Sequence, residues 1–498
     1  MNRPRTFLPA LILTLCATAA GADVPRFETA GIILRASRTY DGAKGVPNPF
    51  VDLELTADVV SPSGRKVLVD GFFDGDGQGG MVGNVFKLRI PAEELGTWTW
   101  RTYSNDPGLN SQSGSFVCSG KIAGPFGSGP MEVNPQYPRT FRYRTGVPVY
   151  LSGKFLDDYA PDPLKWTQTF FSEALTDADR RAMLDRQLGM KVNKLNIYIA
   201  NKGDYGGIWP TTPWLGTAAA NDKTRFDLAR WRLWETWLLE LRRNGVAAHL
   251  WFFADDSGFG SLPDADRMLL IRFGMARLSP YVSTLFTLIL EWEEGWSTDE
   301  VDRHMVYLQQ KNPWRRLQSV HGQIGDFDFP QASWANFMEL QAGATGYQGV
   351  YDRGIANRAL AVKPLVQEEM GQGPENGGTR LKSWAAFMAG AGGAGGGAFL
   401  APLSTFIARV PFQRMQPMNG LVLSGTAYAL AEPGKAYVFF QPVNGTITVD
   451  LSAASGTLIV EWFDPRTGAW QTGPPVAGGG PVTLRSPTSG DWAVFVHP

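Results

Sequence analysis

Hydrophobic and polar positions change their period twice along this 498-residue chain. From 23 to 119, apolar residues alternate with polar ones, the two-residue period of a strand with one buried face. Val51-Asp52-Leu53-Glu54-Leu55-Thr56-Ala57 and Thr97-Trp98-Thr99-Trp100-Arg101-Thr102-Tyr103 are two such runs, and Gly/Asp-rich segments part them. This predicts a β-sandwich. The Gly- and Pro-rich stretch from Gly124 to Pro130 makes 120–146 a linker and entry to the next unit. From 147 to 425, short apolar runs alternate with longer amphipathic ones. The strand candidates are 147–152, 192–199, 246–253, 285–292, 317–320, 337–340, 364–368 and 397–400, with helix-like stretches such as 228–239 and 265–277 between them. Eight strands with helical crossovers over this length predict a (β/α)8 TIM barrel. From 426 to 498 the two-residue period returns, as in Thr457-Leu458-Ile459-Val460-Glu461-Trp462-Phe463. The expectation is multidomain: a central (β/α)8 barrel between an N-terminal β-sandwich and a small C-terminal one.

The first 22 residues read differently. Arg3 and Arg5 precede an apolar stretch over 7–19, and Ala20-Gly21-Ala22 is a small-residue cleavage site. That predicts a signal peptide, a mature chain starting near Asp23, and a secreted or periplasmic protein. The apolar stretch is too short to span a bilayer comfortably, so no membrane insertion is expected. Of the two cysteines only Cys118 lies beyond this segment, which leaves no intrachain disulfide. Lys and Arg number 46 against 47 Asp and Glu, without a basic stripe, which argues against nucleic acid as a partner. His249, His304, His321 and His497 are scattered, with no HExxH or CxxC, so neither metal nor cofactor is expected. Oligomeric state is not encoded in any readable way.

In such a barrel, chemistry sits where the strands end. Two acidic clusters follow the fourth and seventh strand candidates: Glu291-Trp292-Glu293-Glu294-Gly295-Trp296 and Gln367-Glu368-Glu369-Met370-Gly371. Glycoside hydrolysis needs two carboxyl groups, one to protonate the leaving oxygen and one to attack the anomeric carbon or activate water. His321, Gln341, Asp255, Asp256 and Asn201 end other strands and are candidates for substrate binding. Trp251, Trp292 and Trp296, among 17 tryptophans, are candidate sugar platforms, because pyranose C–H groups pack on aromatic faces.

These motifs, in this order, resemble the apiosidase-like group of clan-A-type barrel glycosidases that carry an Ig-like domain before the barrel. The N-terminal match is Asn48-Pro49-Phe50, Gly71-Phe72-Phe73-Asp74-Gly75 and Leu95-Gly96-Thr97-Trp98-Thr99-Trp100. Phe226-Asp227-Leu228 and Lys363-Pro364-Leu365-Val366 match in the barrel. Trp462-Phe463-Asp464-Pro465-Arg466-Thr467-Gly468 is similar to a C-terminal sandwich often labelled collagen-binding. The resemblance implies a retaining mechanism on a carbohydrate, with Glu294 as acid/base, Glu293 as its alternate and Glu369 as nucleophile. Trp292 and Gly295 depart from the usual small residue and Asn, and Asp255-Asp256 stand where relatives tend to have Glu. Those departures keep a second reading in view, a non-catalytic carbohydrate-binding or adhesion protein on an inactive barrel.

Overall fold

The structure, a computed structural model, describes residues 23–153, 169–201, 210–254, 261–341, 346–370, 377–396 and 399–498. Residues 1–22, Asp255 and Asp256 lie outside that set.

Residues 23–119 form two sheets. One has five strands, ordered Asp23–Pro25, Ser113–Ser119, Gly96–Ser104, Leu55–Val60, Lys66–Asp70; the other joins Thr29–Asp41, Val82–Pro91 and Phe72–Phe73. Alternation makes this possible: Val59, Trp98 and Phe116 of one sheet are buried in the same core as Ile32, Leu88 and Ile90 of the other.

Eight parallel strands follow, in two four-stranded sheets. We number them β1 (Leu151–Ser152), β2 (Lys194–Ala200), β3 (Ala247–Phe253), β4 (Thr284–Ile289), β5 (Gln318–Ser319), β6 (Met338–Gln341), β7 (Leu365–Glu369) and β8 (Gly393–Ala394). One sheet runs β2-β3-β4-β5, the other β1-β8-β7-β6. Hydrogen bonds join their edges. His321, just past β5, bridges Glu339 of β6 in parallel, and Asn193, just before β2, donates its N–H to the Ser152 carbonyl at 3.0 Å. Helices α1 (Asp177–Gly189), α2 (Leu228–Arg243), α3 (Asp264–Leu278), α4 (Thr298–Gln310), α5 (Tyr347–Leu360), α6 (Gly377–Met388) and α7 (Leu400–Ile407) fill the crossovers or follow β8. In α2, Asp227 caps the start by accepting from the Ala229 and Arg230 N–H groups. Leu228, Trp231, Trp234, Leu238 and Leu241, spaced by three or four, bury one face, and Arg242 and Arg243 close the last turn against the helix dipole.

The eighth strand was expected at 397–400. The structure puts it at Gly393–Ala394, and Leu400 opens α7. Glycine is required here by crowding. A Cβ on Gly393 would stand 2.7 Å from the Leu151 Cβ, and one on Gly395 would stand 1.9 Å from the Glu368 carbonyl oxygen. A strand that admits no side chain leaves no apolar run to read.

The expected linker is folded as well. Met131–Val133, Phe141–Tyr143 and Pro148–Val149 form an antiparallel sheet. Phe126, Met131 and Phe141 bury against Ala247, Leu285, Phe337 and Val366, inward residues at the starts of the parallel strands. The short sheet is therefore a floor beneath them. The N-terminal sandwich is fixed to α2 and α3 by buried charges. Arg89 forks onto Glu235 with two bonds of 2.7 Å, and Arg277 reaches Glu235 at 2.7 Å and Asp74 at 2.8 Å. The two guanidiniums hold the Glu235 carboxyl at about 2 despite its burial. The C-terminal sandwich starts earlier than 426: Gln416–Pro417 pairs with Tyr428–Glu432, and Val422–Ser424 with Thr446–Asp450. These edge strands are too short for period reading. Its seven-stranded sheet packs outward on Trp384 of α6, stacked on Phe440 at 5.0 Å between centroids.

Candidate active site

Inward side chains between the two sheets stack in layers, as period-two strands require. Above the apolar floor lies a polar layer: Lys194 and Asn196 from β2, His249 from β3, Thr287 from β4, Glu339 from β6 and Glu368 from β7, all buried. The Lys194 ammonium makes a short ion pair with Glu368 and also reaches Asn196 Oδ1 at 2.7 Å and His249 Nδ1 at 3.3 Å. Its three N–H groups are thereby all used. With His249 Nδ1 accepting, Nε2 carries the proton and donates to Thr287 Oγ1 at 2.7 Å, and that hydroxyl donates to Glu339 at 2.6 Å. Burial and the adjacent Glu368 charge push Glu339 well above the usual carboxylate range. His249, Glu339 and Glu368 each bring one ligand atom within 4.8 Å of the others. The Lys194 ammonium already supplies the cation among them.

One residue of irregular register builds the layer above. Leu340 pairs with Gln367 but Gln341 with Glu369, so Glu368 is an extra residue on β7. In a regular strand, consecutive residues face opposite ways. Here Glu368 turns down to Lys194, and Glu369 meets the side chain of Gln341.

The opposing acid comes from the end of β4. Glu291 adopts φ 41°, ψ 58°, the left-handed region, at an expense of order 1–3 kcal/mol for a residue with a side chain. His321 clamps this turn through its backbone: its N–H donates to Ile289 and its carbonyl accepts from Trp292, both at 3.2 Å. The Gln341 amide nitrogen then donates to Glu291 Oε1 at 2.6 Å and to Glu369 Oε2 at 2.8 Å. These two oxygens can be no farther apart than the two bonds laid end to end, about 5.4 Å. Glu294 hydrogen-bonds the Glu291 carboxyl from the exposed side, and Gln323 Nε2 donates to Glu294 at 2.8 Å. Burial first, then the Glu369 charge and the Glu294 bond, raise Glu291 to about 8. Burial raises Glu369 too, against the Gln341 bond. Two carboxyls this close share one proton between them near neutrality.

The expected site residues fall in different places. Glu369, Gln341 and Glu294 converge, joined by Glu291, which belongs to the first acidic cluster but had been given no role. Glu293 is turned onto the Gln323 backbone N–H, 3.0 Å from each of its oxygens. His321 is fully buried, its ring 5.3 Å from that of Trp251, and burial lowers it to about 3. Its backbone holds the Glu291 turn, and its ring lies below the carboxyl pair in the interior. Asn201 is buried and its backbone pairs with Thr211. The three tryptophans expected as platforms are core. Trp251 lies under Tyr198, His249 and His321. Trp292 packs on Phe329, with its ring hydrogen-bonded to Asp328. Trp296 is enclosed by Phe253, His304 and Arg267. Lys194, His249, Glu339 and Glu368 were missed. Charged or polar residues two apart inside apolar runs, such as Lys194 and Asn196, were the available signal.

A family described as a domain of unknown function (DUF5060) matches residues 23–105. In fold, the chain is similar to a protein of Bacteroides vulgatus ATCC 8482 described as a candidate glycoside hydrolase, at TM-score 0.76 and 17% identity, covering 96% of this chain and 99% of that one. It is also similar to a family 5 glycoside hydrolase of the same organism, at TM-score 0.63 and 13% identity, over 76% and 95% of the two chains. A third structure, described as a glycoside hydrolase, gives the same score and identity over 76% and 98%. At these identities the likeness establishes a fold shared with glycoside hydrolases. No curated protein matches the sequence, and no described helix is long and apolar enough to cross a membrane.

Proposed function

We propose that this protein is an exported, retaining glycoside hydrolase acting on a plant or microbial polysaccharide or oligosaccharide. The two parallel sheets are read as one (β/α)8 barrel, supported by the hydrogen bonds at both sheet junctions. Glu369 is the nucleophile, and the Glu291–Glu294 pair supplies the acid/base. The observation that carries this is the single Gln341 amide holding Glu291 and Glu369 no more than about 5.4 Å apart. Retaining enzymes set their carboxyls about 5–5.5 Å apart, and inverting ones about 6.5–9.5 Å. The raised Glu291 keeps a proton to give while Glu369 is ionised. The proton passes to the glycosidic oxygen as Glu369 attacks the anomeric carbon. The same acid, now a base, then draws a proton from water, and that water releases the sugar from Glu369.

Glu294 is more exposed than Glu291 and is the member that meets an incoming leaving group; Glu291 returns its proton. The test is a panel of aryl glycosides with Glu369→Gln, Glu294→Gln and Glu291→Gln. Loss of turnover by about a thousandfold in Glu369→Gln is expected, with azide rescue in Glu294→Gln. Activity within tenfold of wild type for Glu369→Gln overturns the assignment, and product of inverted anomeric configuration overturns the mechanism. Export is tested by N-terminal sequencing of protein from a secreting host, expected to begin near Asp23.

A further inference from the structure

Cations that border clefts in this molecule generally face acids. The cleft with Lys87, Arg89 and Arg232 contains Glu28 and Glu235. The one with Arg272 and Lys311 contains Glu54 and Asp70. A third cavity, of about 190 Å³, breaks the pattern. It lies between the floor sheet at Gln136–Thr140, the end of α5, and residues 412–416 that lead into the C-terminal sandwich. Arg139 and Arg358 both line it, and among the described residues no aspartate or glutamate does.

The two guanidiniums are held in place by neutral acceptors only. Arg139 Nη1 donates to the carbonyls of Arg358 at 2.7 Å and Ala361 at 2.9 Å. Arg358 donates to the Gly390 carbonyl and to Gln416 Oε1, each at 2.7 Å. Each guanidinium has five N–H donors and uses at most two this way. Burial and the neighbouring Arg139 charge pull Arg358 down to about 10, as for a cation with no counter-charge. Planar N–H forks match carboxylate, sulfate and phosphate oxygens better than any other partner. The cavity is many times the ~10–15 Å³ that one water requires.

We propose that this cavity binds an oxyanion between Arg139 and Arg358. Gly390 and Ala391 precede β8, so the site opens at the end of the barrel remote from Glu369. It takes either a free anion or an acidic group on a glycan at a point distant from the cleaved bond.

The test is thermal unfolding of the full chain in sodium sulfate, with sodium chloride at matched ionic strength as reference. Wild type is expected to gain several degrees along a saturating curve. Arg139→Gln and Arg358→Gln should lose that gain, while Glu369→Gln keeps it. A non-saturating rise in wild type, or an equal gain in Arg139→Gln, overturns the proposal. Arg139 is the less deeply buried of the two, so its variant carries the test if Arg358→Gln does not fold. Oligouronide binding at least tenfold tighter than sulfate, lost in Arg139→Gln, assigns the site to glycans; binding no tighter assigns it to free anions.

Discussion

Replacing Lys194 by Met removes the only cation that the described residues bring to the buried polar layer. Lys194 and Glu368 are each about 1% exposed, so water cannot take the ammonium's place. Removing one partner of a buried pair costs about 3–5 kcal/mol. Unfolding entropy of about 2.1 cal/mol/K per residue, over the roughly 250 residues of a barrel, gives roughly 0.5 kcal/mol per degree. The melting temperature should therefore fall by about 6–10 °C at pH 8. Lys194→Met/Glu368→Gln removes both charges and should recover most of the loss. Calorimetry of wild type and both variants at pH 8 decides. A single variant within a degree of wild type, or a double variant less stable than the single, refutes the claim that this pair is a buried charge lock.

Other outcomes follow from the same geometry. Gln341→Leu withdraws the donor shared by Glu291 and Glu369. Both should then titrate higher, moving both limbs of the kcat/KM–pH profile to alkaline pH. The rate should drop about tenfold to a hundredfold, for a charge-assisted bond worth about 1.5–3 kcal/mol. Glu291 sits at about 8 when folded, against about 4.3 unfolded, so the folded state holds the extra proton between those values. Stability from this group is full below about 4.3 and lost as pH rises toward 8; urea midpoints of Glu291→Gln should vary less over that window. Glu235 has the opposite sign. Its folded value of about 2 lies below the unfolded one, so its contribution is present above about 4.3 and lost as pH falls toward 2. Glu235→Ala should destabilise by about 3–5 kcal/mol at pH 7, with the gap to wild type narrowing at pH 3 in thermal melts.

Much of the architecture was legible because period-two runs and apolar bursts mark strands. β2, β3, β4, β6 and β7 fall inside or beside their expected runs. β8 did not, since Gly393 and Gly395 have no room for a side chain to signal burial. The candidate-site clusters were legible as acids at strand ends, but not which acid faces which. Glu291 joins the site through a left-handed turn that breaks the strand's alternation. Glu368 and Glu369 both point inward through a bulge, and no spacing rule anticipates that. Tryptophan misled for a simpler reason: Trp251, Trp292 and Trp296 fill space beneath the mouth, where their size serves packing.

The floor sheet has a consequence for anyone wishing to study the parallel-strand unit alone. A chain cut at 147, where the barrel pattern begins, would lose Met131 and Phe141 and leave Phe337, Leu285 and Val366 open to water from below. Keeping the floor brings in Arg144, whose partner Glu93 belongs to the N-terminal sandwich and is also gripped by Arg316 at the start of β5. Modular as it reads in sequence, a chain cut at 147 should be markedly less stable than one that keeps the floor and the N-terminal sandwich.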